Sequence, residues 1–445
     1  MTQGNIRPDD SLPIALGLTG VIETVNRRNA ILVPLLCGLI QMLDGYDLSA
    51  IGLIAPSLMK EWALPAAAFT EAFALSSVGI MVGAIIAGPV ADRFGRRPML
   101  LLSVLAFGIF SLLSAWAPSL GWLVALRFLT GVGIGGAMPT TVALTADHVP
   151  ERWCTTVIMF MFCGNALGGF VAGQTAAIMI PYWGWHGIFV VGGAVPLAML
   201  PVLLVLPESN RFHLARAVHT APRNPVAGLF SRDLARTTLL LSAIFLFNLF
   251  SMYLIGYWLP TVLNLEGLTP AEAAATASFG AAGGIISTLI LGPLLVRFRP
   301  EWVLASNIAL GLLAIAGIVL GRPDGVALKA LVFGTGAGFV GSQLGLNGFA
   351  AAAYPTALRS TGVGWALGVG RLGGILGPVF GGVLLGLKFA PPSILLSVWV
   401  PGTLTVAAIL LLGRRRGGSR QDMRWKTQDQ PGFREGDIGP AERPQ

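Results

Sequence analysis

The chain has 445 residues, of which 54% are hydrophobic and only 11% charged, with 58 glycines and a mean hydropathy of +0.74. That balance excludes an ordinary soluble protein, and the apolar runs each approach the ~20 residues a helix needs to cross a bilayer. The net charge of +8 reflects where basic residues fall around those runs, and gives no ground for a nucleic-acid partner.

Residues 1–28 form a polar tail ending in Arg27 and Arg28, without the short apolar core or small-residue cleavage site of a removable signal peptide. Twelve spans follow, at about 30–58, 69–90, 99–116, 120–145, 155–180, 186–206, 237–262, 272–296, 303–320, 326–350, 361–386 and 393–412. The expected architecture is an all-α membrane protein with one six-helix bundle over 29–206 and a second over 237–412. Between them lies a polar linker, 207–236, with Pro222, Pro225 and five arginines. A tail, 413–445, rich in Arg, Gln, Gly and Pro, is expected to be disordered.

Loops after even-numbered spans carry Arg93, Arg96, Arg97, Arg152, Arg297, Arg299 and Arg359 as well as the linker arginines. Loops after odd-numbered spans carry only Lys60, Arg322, Lys329 and Lys388. Because basic loops stay on the cytoplasmic side, the linker and both termini are expected there. Cys37, Cys154 and Cys163 fall in or beside spans without metal-ligand spacing, so they read as small packing residues. No metal or cofactor is expected.

The two bundles repeat one another at an offset of 204 to 205 residues. Pro56 matches Pro260, Gly88-Pro89 matches Gly292-Pro293, and Gly131, Gly133 and Gly136 match Gly336, Gly338 and Gly341. Such a parallel duplication places a substrate site near the midplane, between the halves. Gly131 to Gly136 fits the dinucleotide fingerprint G-x-G-x-x-G formally, but it lies inside an apolar span and lacks the strand that fingerprint requires. Close packing of helices is the better account.

The intramembrane charges are not duplicated. Asp44 falls opposite Asn248, Asp47 opposite Ser251, Arg127 opposite Val332 and Arg371 opposite Ala166. A charge at a helix centre costs ~2.5 to 3.5 kcal/mol on an insertion scale, so all four must face the interior. Asp44 and Asp47, three residues apart, share a face of span one, and two carboxylates so close are expected to hold at least one proton near neutrality. That is what a proton carrier needs. Arg127 and Arg371 keep their charge and bind carboxylates through a planar fork, which suggests an anionic substrate; internal pairing with an aspartate is the competing reading. Polar and aromatic candidates for the pocket are Tyr46, Asn165, Gln174, Asn248, Tyr253, Tyr257, Trp258, Gln343, Asn347 and Trp365, any of which could instead be helix glue.

The loop Gly88-Pro-Val-Ala-Asp92-Arg93-Phe-Gly95-Arg96-Arg97 resembles the signature of the major facilitator superfamily, as do Arg127 to Gly136 and Pro207-Glu208-Ser209. Asp44-Gly-Tyr-Asp47 and the stretch Tyr354 to Arg371 are similar to the aromatic acid:proton symporters within it. The resemblance implies proton coupling at Asp44 and Asp47, carboxylate recognition at Arg127 and Arg371, and a conformational latch of Asp92, Arg93, Arg97 and Asp147. In the second repeat Val296 replaces Asp92 and Arg299 replaces Gly95, which puts a matching C-terminal latch in doubt. The expected function is proton-coupled import of a benzoate-like acid by alternating access, with one chain acting alone in the bilayer. The alternatives are a non-aromatic organic acid as cargo, antiport of a cation, a membrane sensor and an intramembrane enzyme. Arginines in the cavity disfavour a cation, no sizeable output domain supports a sensor, and no nucleophile with base supports an enzyme.

Overall fold

The computed structural model describes residues 27–208, 228–231, 234–355 and 358–428. Twelve helices among them are long and apolar enough to span a membrane. The first half comprises α1 (Arg27–Glu61), a 3-10 turn (Ala66–Phe69), α2 (Thr70–Phe94), α3 (Arg96–Ser114), α4 (Leu120–His148), α5 (Glu151–Trp183) and α6 (His186–Leu203). The second comprises α7 (Ala235–Leu265), α8 (Pro270–Arg297), α9 (Pro300–Gly321), α10 (Gly325–Ala351) and α11 (Arg359–Gly386). Its last span is in two pieces, α12 (Pro391–Ser397) and α13 (Trp399–Gln428). Within lipid a helix satisfies its own backbone polar groups, which is why apolar runs of this length take that form.

Sharp local signals end the helices. Gly95, at φ +106°, breaks α2 from α3 in a conformation side-chain-bearing residues rarely adopt. Thr269 and Glu272 cap the start of α8 reciprocally, with Pro270 at its first position. The helix of α13 runs past Gly413, where composition led us to expect a tail; Arg414 to Gln428 contains no proline, and Arg, Gln, Met and Lys are good helix formers. Residues 429–445, and 209–227 of the linker, lie outside the described residues.

Both halves pair their helices alike. α1 packs on α5 as α7 does on α11, and α2 packs on α4 as α8 does on α10. Glycines make these contacts close. A Cβ on Gly45 would collide with the Asn165 carbonyl, one on Gly168 with that of Met42, and one on Gly373 with that of Leu246. Gly135 meets the Ile80 carbonyl in the same way, and Gly336 meets that of Gly280, so the glycine string of α4 and its repeat in α10 serve helix packing.

The halves meet along α1–α7, α5–α8 and α2–α11. Toward the end where α1 and α5 finish, Gln174 donates to Ser278 at 2.9 Å. There Phe73 also stacks on Tyr257 at 4.8 Å and lies edge-on to Trp258 at 5.0 Å. Near the opposite end, a Cβ on Gly88, Gly292, Gly348 or Gly364 would touch nothing within 4 Å.

Gly336→Ala is therefore expected to lower the melting temperature in detergent, by overpacking on the order of 1–3 kcal/mol, whereas Gly348→Ala, facing open space, leaves it unchanged. Equal melting temperatures for the two variants would show that the α8–α10 contact is not close.

Candidate functional site

α1 brings two acids into the core, and they meet different fates. Asp47 is buried, and its Oδ2 accepts from Nη1 of Arg127 on α4 at 3.0 Å. Ser111 of α3 donates to its Oδ1. Arg127 in turn donates through Nη2 to Ser114 at 2.8 Å and Thr130 at 3.0 Å, and lies 4.4 Å from the centroid of the Phe189 ring of α6. Four helices thus surround one ion pair. A buried pair is tolerable only when its remaining donors and lone pairs are largely filled; the serines, the threonine and the ring face do most of that, and Nε of Arg127 is left without a hydrogen-bond partner. The void beside it, lined by Asp47, Ser76, Arg127 and Thr130, is only about 10 Å³, the lower limit for one water. Among the described residues Asp47 is the one acid paired with Arg127.

Asp44 is fully buried, and neither carboxylate oxygen has a hydrogen-bond partner. On α11, half-buried Arg371 donates through Nη1 to the Tyr253 hydroxyl at 3.1 Å, while its Nη2 lies 2.9 Å from the Sδ of Met138 on α4. Among the described residues no acid forms an ion pair with it.

Between the halves lies a cavity of about 180 Å³, walled by α1, α5, α7, α8 and α10. Of the sequence candidates, Asn165, Tyr253 and Tyr257 line it. The four charged residues do not; Tyr253 links the cavity to Arg371. Asn248 donates to Gln343 at 2.7 Å and Gln343 to Asn347 at 3.5 Å, forming a chain of amides between α7 and α10. Tyr46 turns into its own half and donates to the Ile188 carbonyl at 3.3 Å. Trp258 is fully buried and holds the Pro378 carbonyl of α11 at 2.9 Å. Trp365 is 36% exposed and lies edge-on to Phe230 at 5.3 Å.

In the loop region the structure gives Asp147 to Arg96 rather than to Arg93 or Arg97. Arg96 opens α3, whose first turn faces the last turn of α4, and it also donates to the Ala143 carbonyl at 3.0 Å. Arg93 instead points outward over Phe94, and Arg97 reaches the Leu204 carbonyl at 2.5 Å. Glu208 accepts from the backbone amides of Arg96 at 3.0 Å and Arg97 at 3.2 Å, a favourable place for a carboxylate at a helix N-terminus. The side chain of Asp92 lies outside the described residues. Sequence reasoning missed Ser111, Ser114, Thr130, Phe189 and Arg96. Hydroxyls three apart in an apolar span were the only available signal.

Two like halves of six spans, enclosing a cavity beside which Arg371 pairs with no acid among the described residues, define a membrane transporter. Residues 37–378 match the Major Facilitator Superfamily. The chain is 37% identical over 413 residues to the 4-hydroxybenzoate transporter PcaK of Pseudomonas aeruginosa, covering 86% of this chain and 92% of that protein. It is 36% identical over 413 residues to a gallate transporter of Pseudomonas putida, covering 86% and 92% respectively. Its fold is similar to the crystal structure of a D-xylose-proton symporter, with a TM-score of 0.70 and 18% identity, covering 86% of this chain and 97% of that one. The chain belongs to the Major Facilitator Superfamily, in its aromatic-acid transporter family. It is a multi-pass inner-membrane transporter rather than an enzyme.

Asp47→Asn is expected to strand the Arg127 charge and cost about 3–5 kcal/mol of stability, with Asp47→Asn/Arg127→Gln recovering part of that loss. Melting temperatures of the purified variants decide it, and a double variant no more stable than the single one would argue against the pair.

Proposed function

We propose that the protein is a proton-coupled symporter that imports an aromatic carboxylate by alternating access. The observation carrying this reading is the cavity between the halves, with Tyr253 and Tyr257 in its wall and Arg371, which pairs with no acid among the described residues, hydrogen-bonded to Tyr253. A cavity of roughly 150 Å³ can hold benzene, so about 180 Å³ suits one ring with its carboxyl group. The guanidinium would grip the carboxylate through two parallel hydrogen bonds while the tyrosine rings contact the aromatic face. The relatives named for 4-hydroxybenzoate and gallate support this cargo, since both acids are hydroxylated benzoates.

Asp44 supports the coupling. A lone buried carboxylate costs several kcal/mol and a proton removes that cost, which makes Asp44, with neither oxygen hydrogen-bonded, the acid suited to carry the proton, while Asp47 is held by Arg127. The side-chain contacts gathered at one end suit a transporter closed there, and the distribution of basic loops supports a cytoplasmic opposite end. With one proton per monoanion the cycle moves no net charge and draws on the pH gradient alone, ~1.36 kcal/mol per unit.

Uptake of radiolabelled 4-hydroxybenzoate, benzoate and succinate into expressing cells tests the proposal. An aromatic acid is expected to accumulate, to be lost with a protonophore, and to fall about tenfold or more with Arg371→Gln, which loses a charged hydrogen bond to the carboxylate, or with Asp44→Asn, which cannot carry the proton. Collapsing the membrane potential at constant pH gradient should leave accumulation unchanged. Preference for succinate would move the cargo to non-aromatic acids, and indifference to the protonophore would remove the coupling.

A further inference from the structure

The acid without a partner and the arginine without an acid converge on one side chain. Gln41 of α1 donates to Thr141 of α4 at 2.8 Å, and further along α1 Asp47 accepts from Arg127 of α4, so Asp44 lies between these two contacts. They are the first and fourth spans of one bundle and run antiparallel, so Asp44, one turn on from Gln41, lies alongside the stretch of α4 that runs back from Thr141 and holds Met138 one turn away. The internal repeat gives the same answer independently. Asp44 corresponds to Asn248 and Met138 to Gln343, and Asn248 donates to Gln343 at 2.7 Å. On its other side, Met138 presents its sulfur to Arg371 at 2.9 Å. A thioether is a weak acceptor and brings no counter-charge, so this guanidinium is held but not neutralised.

We propose that Asp44 and Arg371 are alternative partners across the junction of the halves, with Met138 as the separator. This rests on the aromatic-carboxylate reading and adds which group competes with the substrate. With Asp44 protonated, Met138 lies between the two and Arg371 is available to the substrate carboxylate. When Asp44 releases its proton to water on the low-proton side, the flexible thioether moves aside, the carboxylate takes the guanidinium, and the substrate is displaced. Only hydrogen bonds and one proton change hands. Of the other charged and titratable groups at this depth on α1 and its neighbours, Asp47 and Arg127 hold each other. Tyr46, Tyr253, Tyr257, Cys37 and Cys163 are groups that do not ordinarily ionise below pH ~8.

The test is binding of 4-hydroxybenzoate to the purified protein, by titration calorimetry between about pH 5.5 and pH 8. Wild-type affinity is expected to fall as pH rises, by up to about tenfold per unit, the limit for one linked proton. Asp44→Asn should bind tightly with no such dependence; Asp44→Ser serves if that variant does not reach the membrane. Met138→Ala should weaken binding several-fold at pH ~7 in the wild-type background and not in Asp44→Asn, because it lets the ionised aspartate reach Arg371 more easily. If the wild type binds no aromatic carboxylate at any pH, the cargo reading fails. If it binds and Asp44→Asn keeps the wild-type pH profile, the alternation between Asp44 and Arg371 is overturned.

Discussion

An ionised side chain in the middle of a membrane-spanning bundle has to be matched, and the first half of this protein is arranged around one such match. Asp47 comes from α1, Arg127 and Thr130 from α4, Ser111 and Ser114 from α3, and the ring of Phe189 from α6. Each of the four helices therefore has a reason to lie where it does beyond generic apolar contact. Desolvating two charges can cost more than their attraction returns, so the surrounding hydroxyls decide whether the pair is tolerable. The gain is a fixed arrangement of helices at the point where α1 faces the second half.

That arrangement depends on how near the backbones come. Lipid tails are as apolar as leucine, so van der Waals contact between small residues does the work that the hydrophobic effect does in water. Gly45 against the Asn165 carbonyl sets α1 on α5, and Gly135 against that of Ile80 sets α4 on α2. The repeat conserves this scaffold between the halves and leaves out the charges. Ser251, the counterpart of Asp47, turns its hydroxyl back onto the Phe247 carbonyl of its own helix at 2.8 Å. Val332, the counterpart of Arg127, is fully buried among apolar neighbours. One packing plan thus supports a charged half and an uncharged one.

The same division explains what could be read from the sequence. Span number, the six-plus-six repeat and the packing role of the glycine string follow from hydropathy and spacing, which are properties of single helices. The four intramembrane charges stand out because each is costly where it sits. What they touch does not stand out: Ser111, Ser114 and Thr130 are ordinary residues until α1, α3 and α4 are brought together. Aromatic residues are the least legible. Tyr253 and Tyr257 face the cavity, whereas Trp258, next in sequence, spans to the Pro378 carbonyl and Trp365 leans on Phe230. One residue along a helix is a rotation of about 100°, and the direction of the cavity is not written in the composition. In the loop, Arg96 rather than its neighbours meets Asp147 because Gly95 ends α2 there and starts α3 with that side chain turned to α4.

If one half moves against the other, contacts with both partners in the same half travel as rigid groups. Asp47 with Arg127 is such a contact, and so are Asn248 with Gln343 and Arg371 with Tyr253. The contact of Arg371 with Met138 is different, because its two ends belong to different halves and it lies near the middle of the spans. The bond of Gln174 to Ser278 also crosses, but toward the end where α1 and α5 finish, and it leaves the central charges untouched. A rocking motion about that end would therefore change the surroundings of Arg371 while the Asp47 cage stayed intact. Linking proton and substrate to such a motion requires a charged group whose environment differs between the two arrangements. Arg371 meets that requirement by position, and Asp44, buried on α1 with neither oxygen hydrogen-bonded, is the acid left to respond to it once Asp47 is held by Arg127.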